Sequence, residues 1–278
     1  MPHLLHDLPH PAIIAHRGAS RYAPENTLAA FQLAVEQGAD GVELDVRLSA
    51  DGHLVVIHDA SISHTTNGRG RRWVHRVANM TLVGLRELDA GNGEKIPTLD
   101  EVFETLGRQL LINVELKPLL GMAVVGWAHP HSPSSSPNTQ MLAEKVAHTV
   151  LRHALQEVVI CSSFNPLALK ALARCAPEIP RGLLLPAGFI PSRLAARYFV
   201  SALAGRTLTY QTLHPNYRDV LKGALLPVRQ PGGPRVFTYT VNDEAEMVQL
   251  FKRGMDGSFP VDGIFTDDPL LARRVRGF

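Results

Sequence analysis

The chain has 278 residues, 45% of them hydrophobic and 19% charged, with a formal net charge of +2 and both signs interspersed. That balance is ordinary for a soluble globular protein and gives no electrostatic reason to expect nucleic acid as a partner. Two cysteines are too few for a disulfide framework, no apolar run approaches the ~20 residues of a membrane span, and the N-terminus lacks a signal-peptide pattern. The expected setting is cytoplasmic, without stable membrane insertion.

In chain order, residues 12–15 read as a short buried strand that stops at His16-Arg17-Gly18. Asn26 is expected to cap a helix in which Leu28, Phe31 and Val35 recur at helical spacing and which Gly38 closes. Residues 41–59 read as a hairpin turning at Asp51-Gly52. Glu43 and Asp45 stand two apart in its first strand and share a face, and symmetry about the turn sets His58 across from Asp45. Its second strand is too close in sequence to pair in parallel, so it returns antiparallel. Residues 60–97, rich in Gly, Arg and Asn, read as an insertion on top of the fold. Further strands are expected at 110–117, 158–164, 181–185, 207–214, 235–242 and 263–267, alternating with helices at 139–156, 166–175, 192–204 and 243–253 and a closing helix from Pro269. A turn is expected at 229–233, and residues 118–138 read as a mobile loop overhanging the site. Eight strands alternating with helices predict an α/β fold, a (β/α)8 TIM barrel over 1–278 as a single catalytic domain, with a doubly wound open sheet as the alternative.

In such a barrel the chemistry gathers at the C-terminal ends of the strands. Those ends carry His16 and Arg17, then Glu43 and Asp45 with His58 on the return strand, then Glu115 and Lys117. Three carboxylates suit a hard divalent cation, Mg2+ or Ca2+; an adjacent histidine also admits Zn2+, but no closed His/Cys set supports it. Arg17 and Lys117 suit a phosphoryl anion, one as a fork and the other as a point charge. Two histidines supply an acid and a base for phosphoester cleavage. Most of the thirteen histidines are expected at the surface.

The run AHRGAS, PENT, VELDV, DGHLVVIHD, TTNGRG, IPTLDE, VELK, SSFNP and FTDDP, in that order from Ala15 to Pro269, resembles the glycerophosphodiester phosphodiesterase family, in its cytoplasmic bacterial type. The resemblance implies a TIM-barrel hydrolase with a small inserted subdomain that converts glycerophosphodiesters to sn-glycerol 3-phosphate and an alcohol. It also implies His16 and His58 as the acid–base pair, Glu43, Asp45 and Glu115 as holders of the cation, and Arg17 and Lys117 as phosphate contacts. Phe164 of SSFNP and Tyr239 of YTVN are expected to bind substrate. Tyr239 stands where the family often has Trp, and His64 where Arg is common, which leaves the preferred alcohol open. Water and the substrate's own 2-hydroxyl both remain as nucleophiles. The rival readings are a phospholipase C- or D-type enzyme acting on lipid and a catalytically silent barrel that only binds.

Overall fold

The computed structural model describes residues 4–68, 76–118, 137–188, 210–223, 233–255 and 261–277. The elements are β1 (Ala12–His16), α1 (Leu28–Glu36), β2 (Gly41–Leu48), β3 (Leu54–Val56), α2 (Leu82–Arg86), α3 (Leu99–Leu106), β4 (Leu111–Leu116), α4 (Pro137–Arg152), β5 (Val159–Ser163), α5 (Pro166–Cys175), β6 (Arg181–Leu185), β7 (Thr212–Pro215), α6 (Tyr217–Leu221), β8 (Arg235–Thr238), α7 (Glu244–Met255), β9 (Gly263–Thr266) and α8 (Pro269–Arg276). Every strand except β3 is parallel to its neighbours, in the order β1-β2-β4-β5-β6-β7-β8-β9. β9 then pairs back with β1, Ala12 opposite Gly263 and Ala15 opposite Thr266, which closes the barrel and excludes an open sheet.

Closure explains why the strands read as apolar runs: each is covered by helices outside and by other strands' side chains inside. On β2, Val42, Leu44 and Val46 point outward and pack with Phe31 and Ala34 of α1 and Val102 and Phe103 of α3. Fully burying each large side chain of this kind contributes about 1.5–3 kcal/mol. Ile14, Leu111, Ile160, Phe237 and Phe265 form a second cluster inside the barrel, with Leu5 and Leu8 of the N-terminal segment packed against them.

β3 runs antiparallel along β2 with Val56 opposite Val46 and Leu54 opposite Leu48. The register corrects the expected one. The Ser49 N–H donates to the His53 carbonyl (3.0 Å), so the turn has three residues, Ala50-Asp51-Gly52, with Gly52 left-handed at φ 79°. Three-residue hairpin loops favour Gly at that position. The extra turn residue sets Ile57, not His58, across from Asp45, and the Ile57 N–H donates to the Asp45 carbonyl (2.9 Å). Regular pairing ends at Val56.

Two helices between β3 and β4 were not expected from sequence. The barrel helix α3 begins at a capping box, in which the Thr98 side chain accepts from the Glu101 N–H and the Glu101 side chain accepts from the Thr98 N–H. α2 lies in the stretch read as an insertion, whose Ile62, Val77, Leu85 and Ile96 form a small apolar cluster with Val55 and Ile57 of the hairpin. Thr27, not Asn26, caps α1: its side chain accepts the Ala30 N–H. α4 starts and ends earlier than expected, β6 spans the residues read for it, and β8 and β9 are shorter than the runs read for them. The expected loop at 119–136, helix at 192–204, turn at 229–232 and strand start at 207–209 lie outside the described residues. Among the described residues no helix is long and apolar enough to cross a membrane.

His214, on β7, is one of the histidines that do not lie at the surface. It is buried inside the barrel, with Nε2 2.9 Å from Thr212 Oγ1 and its ring 5.0 Å from that of Phe265. Nδ1 has no hydrogen-bond partner among the described residues, and burial pushes the imidazole down to about 3. Gly182 on β6 makes room: a Cβ there would lie 2.6 Å from Thr212 Oγ1 and 2.8 Å from His214 Nε2. Between that depressed value and the ordinary ~6.5 of an unfolded histidine, the unfolded chain binds a proton that the folded one does not, so stability is lost as pH falls through this window. Urea unfolding should therefore show wild type losing stability relative to His214→Leu as pH drops from about 7 to about 4.5. A difference that stays flat across that range overturns the assignment.

Candidate active site

Strand β1 ends at His16, and the chain turns sharply because Arg17 and Gly18 are both left-handed, at φ 59° and 81°. A Cβ on Gly18 would lie 2.6 Å from the backbone carbon of Ala30, so a glycine is needed there on both counts. The turn aims the Arg17 backbone N–H at Glu43 Oε2 (3.0 Å). The following stretch, Pro24-Glu25-Asn26, folds back over β2. Both Glu25 oxygens lie 3.0 Å from Arg17 Nη1. Asn26, left-handed at φ 58°, donates from Nδ2 to Asp45 Oδ2 (2.9 Å) and accepts the Asp45 N–H on Oδ1 (3.2 Å). That position explains why it does not cap the helix.

Glu43, Asp45 and Glu115 are all buried, and one oxygen from each lies within 4.8 Å of the others. β2 and β4 pair with Asp45 opposite Glu115, so the cluster is built into the sheet register. Lys117 Nζ sits 2.7 Å from Glu115 Oε1 and 3.1 Å from Asp45 Oδ1, and Arg17 Nε is 3.4 Å from Asp45 Oδ2. Among the described residues Glu43 Oε1 has no hydrogen-bond partner. Burial, with Asp45 and Glu115 beside it, pushes the Glu43 carboxyl well above the usual carboxylate range. Burial also raises Glu115, against the pull of Lys117. Burial opposes ionisation of Asp45 too, but Lys117 and Arg17, with His58 and the Asn26 hydrogen bond, hold it well below that range. Hard carboxylate oxygens in a compact set, one of them buried and unpartnered, fit a divalent cation.

The two histidines are held in matching ways. His16 Nδ1 is 2.7 Å from Asp267 Oδ1, its carbonyl accepts from Ser20 Oγ (2.8 Å), and its Nε2 lies 4.0 Å from Glu43 Oε2. His58 Nδ1 is 2.8 Å from Asp59 Oδ1, and its carbonyl accepts from Arg47 Nε (2.8 Å) and Nη2 (2.6 Å). A carboxylate only accepts, so each Nδ1 carries a proton and each Nε2 is left for other partners. Burial lowers the His58 imidazole despite the nearby Asp45 carboxylate. Phe164 and Tyr239 meet edge to face, ring centres 5.9 Å apart, and Lys117 Nζ lies 5.8 Å from the Phe164 ring centre. The Tyr239 hydroxyl donates to the Leu185 carbonyl (2.6 Å). A cavity of about 200 Å³ is lined by His16, Arg17, Glu43, His58, Glu115, Lys117, Phe164 and Tyr239. Of the residues expected at the site only Asp45 is missing from that lining, being 1% exposed beneath Lys117 and Arg17.

The profile of the Glycerophosphoryl diester phosphodiesterase family matches residues 16–271. The chain belongs to this family. A glycerophosphodiester phosphodiesterase of Caldanaerobacter subterraneus subsp. tengcongensis is 38% identical over 92% of this chain and 94% of that one. A solved phosphodiesterase of Oleispira antarctica, in complex with the product sn-glycerol-3-phosphate, superposes with a TM-score of 0.74 at 30% identity, covering 98% of each chain. The glycerophosphodiester phosphodiesterase of Thermotoga maritima superposes at 0.72 with 28% identity, covering 96% of this chain and 99% of that one.

Within this glycerophosphoryl diester phosphodiesterase barrel, sequence reasoning overlooked the residues that hold the expected set in place. Glu25, Asn26, Asp59, Asp267, Ser20 and Arg47 each contact one of its members. The available signal was position: PENT follows HRG within the same loop, and the aspartate of FTDDP ends the strand that pairs with β1. The loop at Gly91 adds support from outside, since a Cβ there would lie 3.0 Å from the Pro24 ring.

Asn26 does two jobs that substitutions separate. Asn26→Gly removes the bonds to Asp45 but keeps the left-handed backbone. Asn26→Ala removes both, adding roughly 1–2 kcal/mol of backbone strain. Chemical denaturation should rank the unfolding free energies wild type, then the Gly variant, then the Ala variant, and equal losses in both variants would show that the backbone conformation carries no cost.

Proposed function

We propose that the chain hydrolyses glycerophosphodiesters to sn-glycerol 3-phosphate and an alcohol, with His16 and His58 as the acid–base pair and a divalent cation held by Glu43, Asp45 and Glu115. The observation that carries this reading is the convergence of three buried carboxylates and two carboxylate-tethered imidazoles on one cavity. Membership in the family and the likeness to a structure that holds sn-glycerol-3-phosphate support the substrate class. The reading takes the chain as one catalytic domain acting in the cytoplasm on a small soluble diester.

Mg2+ or Ca2+ at the three carboxylates would supply charge that offsets the phosphodiester's and polarises its phosphorus. Arg17 and Lys117 line the same cavity and add positive charge for the non-bridging oxygens. One histidine takes the proton of the nucleophile and the other gives a proton to the departing alcohol, each through Nε2 because Nδ1 is tied to a carboxylate. Phe164 and Tyr239 form an apolar wall for the carbon part of the substrate, with the tyrosine hydroxyl turned to Leu185 and away from this task.

Release of glycerol 3-phosphate from glycerophosphocholine, -ethanolamine and -glycerol should be lost with a chelator and restored by Mg2+ or Ca2+. His16→Ala and His58→Ala should each reduce turnover by about 10²–10⁴-fold while keeping the thermal stabilisation that the ion confers. Near-normal turnover in either variant sinks the acid–base assignment, and release that ignores the chelator sinks the metal. Glu43→Gln gives an independent check. Without metal it should be at least as stable as wild type, because it removes a crowded buried carboxylate, and it should lose the stabilising response to the ion.

A further inference from the structure

The last strand ends in a carboxylate that the proposed chemistry leaves without a role. Asp267 follows β9 at the seam where β9 pairs with β1, with Thr266 opposite Ala15. This places Asp267 beside His16, 251 residues away in sequence, with Oδ1 2.7 Å from Nδ1. We propose that Asp267 is a positioning residue for His16, fixing the imidazole with its proton on Nδ1 and Nε2 turned to the carboxylate cluster. The proposal rests on His16 having the acid–base role given above.

The hydrogen bonds around Asp267 are arranged so that neither oxygen can be exchanged for a donor without consequence. Oδ1 faces His16 Nδ1 and Ser20 Oγ (3.1 Å), and the same Ser20 hydroxyl lies 2.8 Å from the His16 carbonyl. Oδ2 accepts from Asn242 Nδ2 (2.5 Å). Asn242 cannot reverse its amide, because its Oδ1 already accepts the Asp267 N–H (2.9 Å) and Thr266 Oγ1 (3.2 Å). The two residues come from the motifs YTVN and FTDDP, and neither Asn242 nor Asp267 has a part in the reaction proposed above.

This arrangement makes an isosteric substitution informative. In Asp267→Asn, the new amide NH2 cannot sit at the Oδ2 position, where it would meet the fixed NH2 of Asn242. It must take the Oδ1 position, where Ser20 Oγ can accept from it and donate to the His16 carbonyl. His16 Nδ1 must then accept, so the proton moves to Nε2 and the nitrogen facing the cluster is inverted from acceptor to donor. Removing Asn242 relieves the block: in Asp267→Asn with Asn242→Ala the NH2 can turn to the vacated side and the original tautomer returns.

The test uses the full-length, metal-loaded enzyme with glycerophosphocholine, together with 15N spectra of labelled histidine in which His16 is assigned by difference from His16→Gln. Wild-type His16 should carry its neutral-form proton on Nδ1, and Asp267→Asn should carry it on Nε2. Asp267→Asn and Asp267→Ala should each lose about 100-fold or more in kcat with KM within about threefold. The double variant, Asp267→Asn with Asn242→Ala, should regain about tenfold over Asp267→Asn alone. A purely structural role would leave the isosteric Asp267→Asn active and its tautomer unchanged. Wild-type His16 protonated on Nε2 overturns the proposal without any variant, as does a kcat for Asp267→Asn within about threefold of wild type. If His16→Ala is itself active, the acid–base reading has failed; if His16→Ala is inactive and Asp267→Asn is not, only the positioning role has.

Discussion

Three carboxyl groups within 4.8 Å of one another, taken out of water at the mouth of a barrel, set the terms for everything around them. At an effective dielectric constant of about 20, two unit charges at that separation repel by roughly 3.5 kcal/mol, a large share of the stability of an ordinary domain. The compensation is uneven. Lys117 sits between Asp45 and Glu115, and Arg17 and Asn26 both reach Asp45. Asp45 is thereby kept ionised, while among the described residues Glu43 receives only the Arg17 backbone N–H as a hydrogen bond and keeps one oxygen unpartnered. The cluster is therefore incomplete on the Glu43 side, the side that faces the His16 ring.

The second constraint is that one edge of β2 serves two strands. β1 pairs with its first part, Gly41 to Glu43, and stops at His16. β3 comes down the same edge from the other end and pairs with Val46 to Leu48. The two strands approach each other along β2, and the gap between them lies beside Glu43 and Asp45. His16 stands at the end of one and His58 just past the end of the other. That is how two histidines 42 positions apart reach one cavity, and why β3 exists in a barrel whose other strands are all parallel. Arg47, also on β2, secures the arrangement by donating twice to the His58 carbonyl.

The architecture and the convergence of the candidate site residues were legible because both follow short-range rules. Apolar strands alternating with helical periodicity specify the barrel, and acids two apart on a strand share a face whatever the rest of the chain does. What was not legible depended on one residue's backbone or on distant pairing. The hairpin register turned on whether Gly52 ends a two-residue or a three-residue loop, and the resulting slip exchanged His58 for Ile57 opposite Asp45. Asn26 looked like a cap because Asn often is one, and its left-handed backbone turned it toward Asp45 instead, leaving the cap to Thr27. α3 was hidden by reading the preceding irregular stretch as continuing to Pro97, although the Thr98-to-Glu101 capping box announces it. His214 could not be placed because nothing local distinguishes a histidine that faces into a barrel from one that faces water.

The supports of the two histidines differ in what they demand of the fold. Asp59 is the next residue after His58, so that pair forms wherever the local bend forms. Asp267 reaches His16 only when the last strand has paired with the first, and Asn242 reaches Asp267 only when the segment after β8 is in place as well. The orientation of His16 is thus tied to the closure of the barrel, and that of His58 to a hairpin appended to it. Glu43, Asp45, His58 and Glu115 all come from the first 115 residues, whereas the carboxylate beside the His16 ring comes from the far end of the chain. The His16–Asp267 contact is therefore a part of the candidate site that requires both ends of the chain to meet.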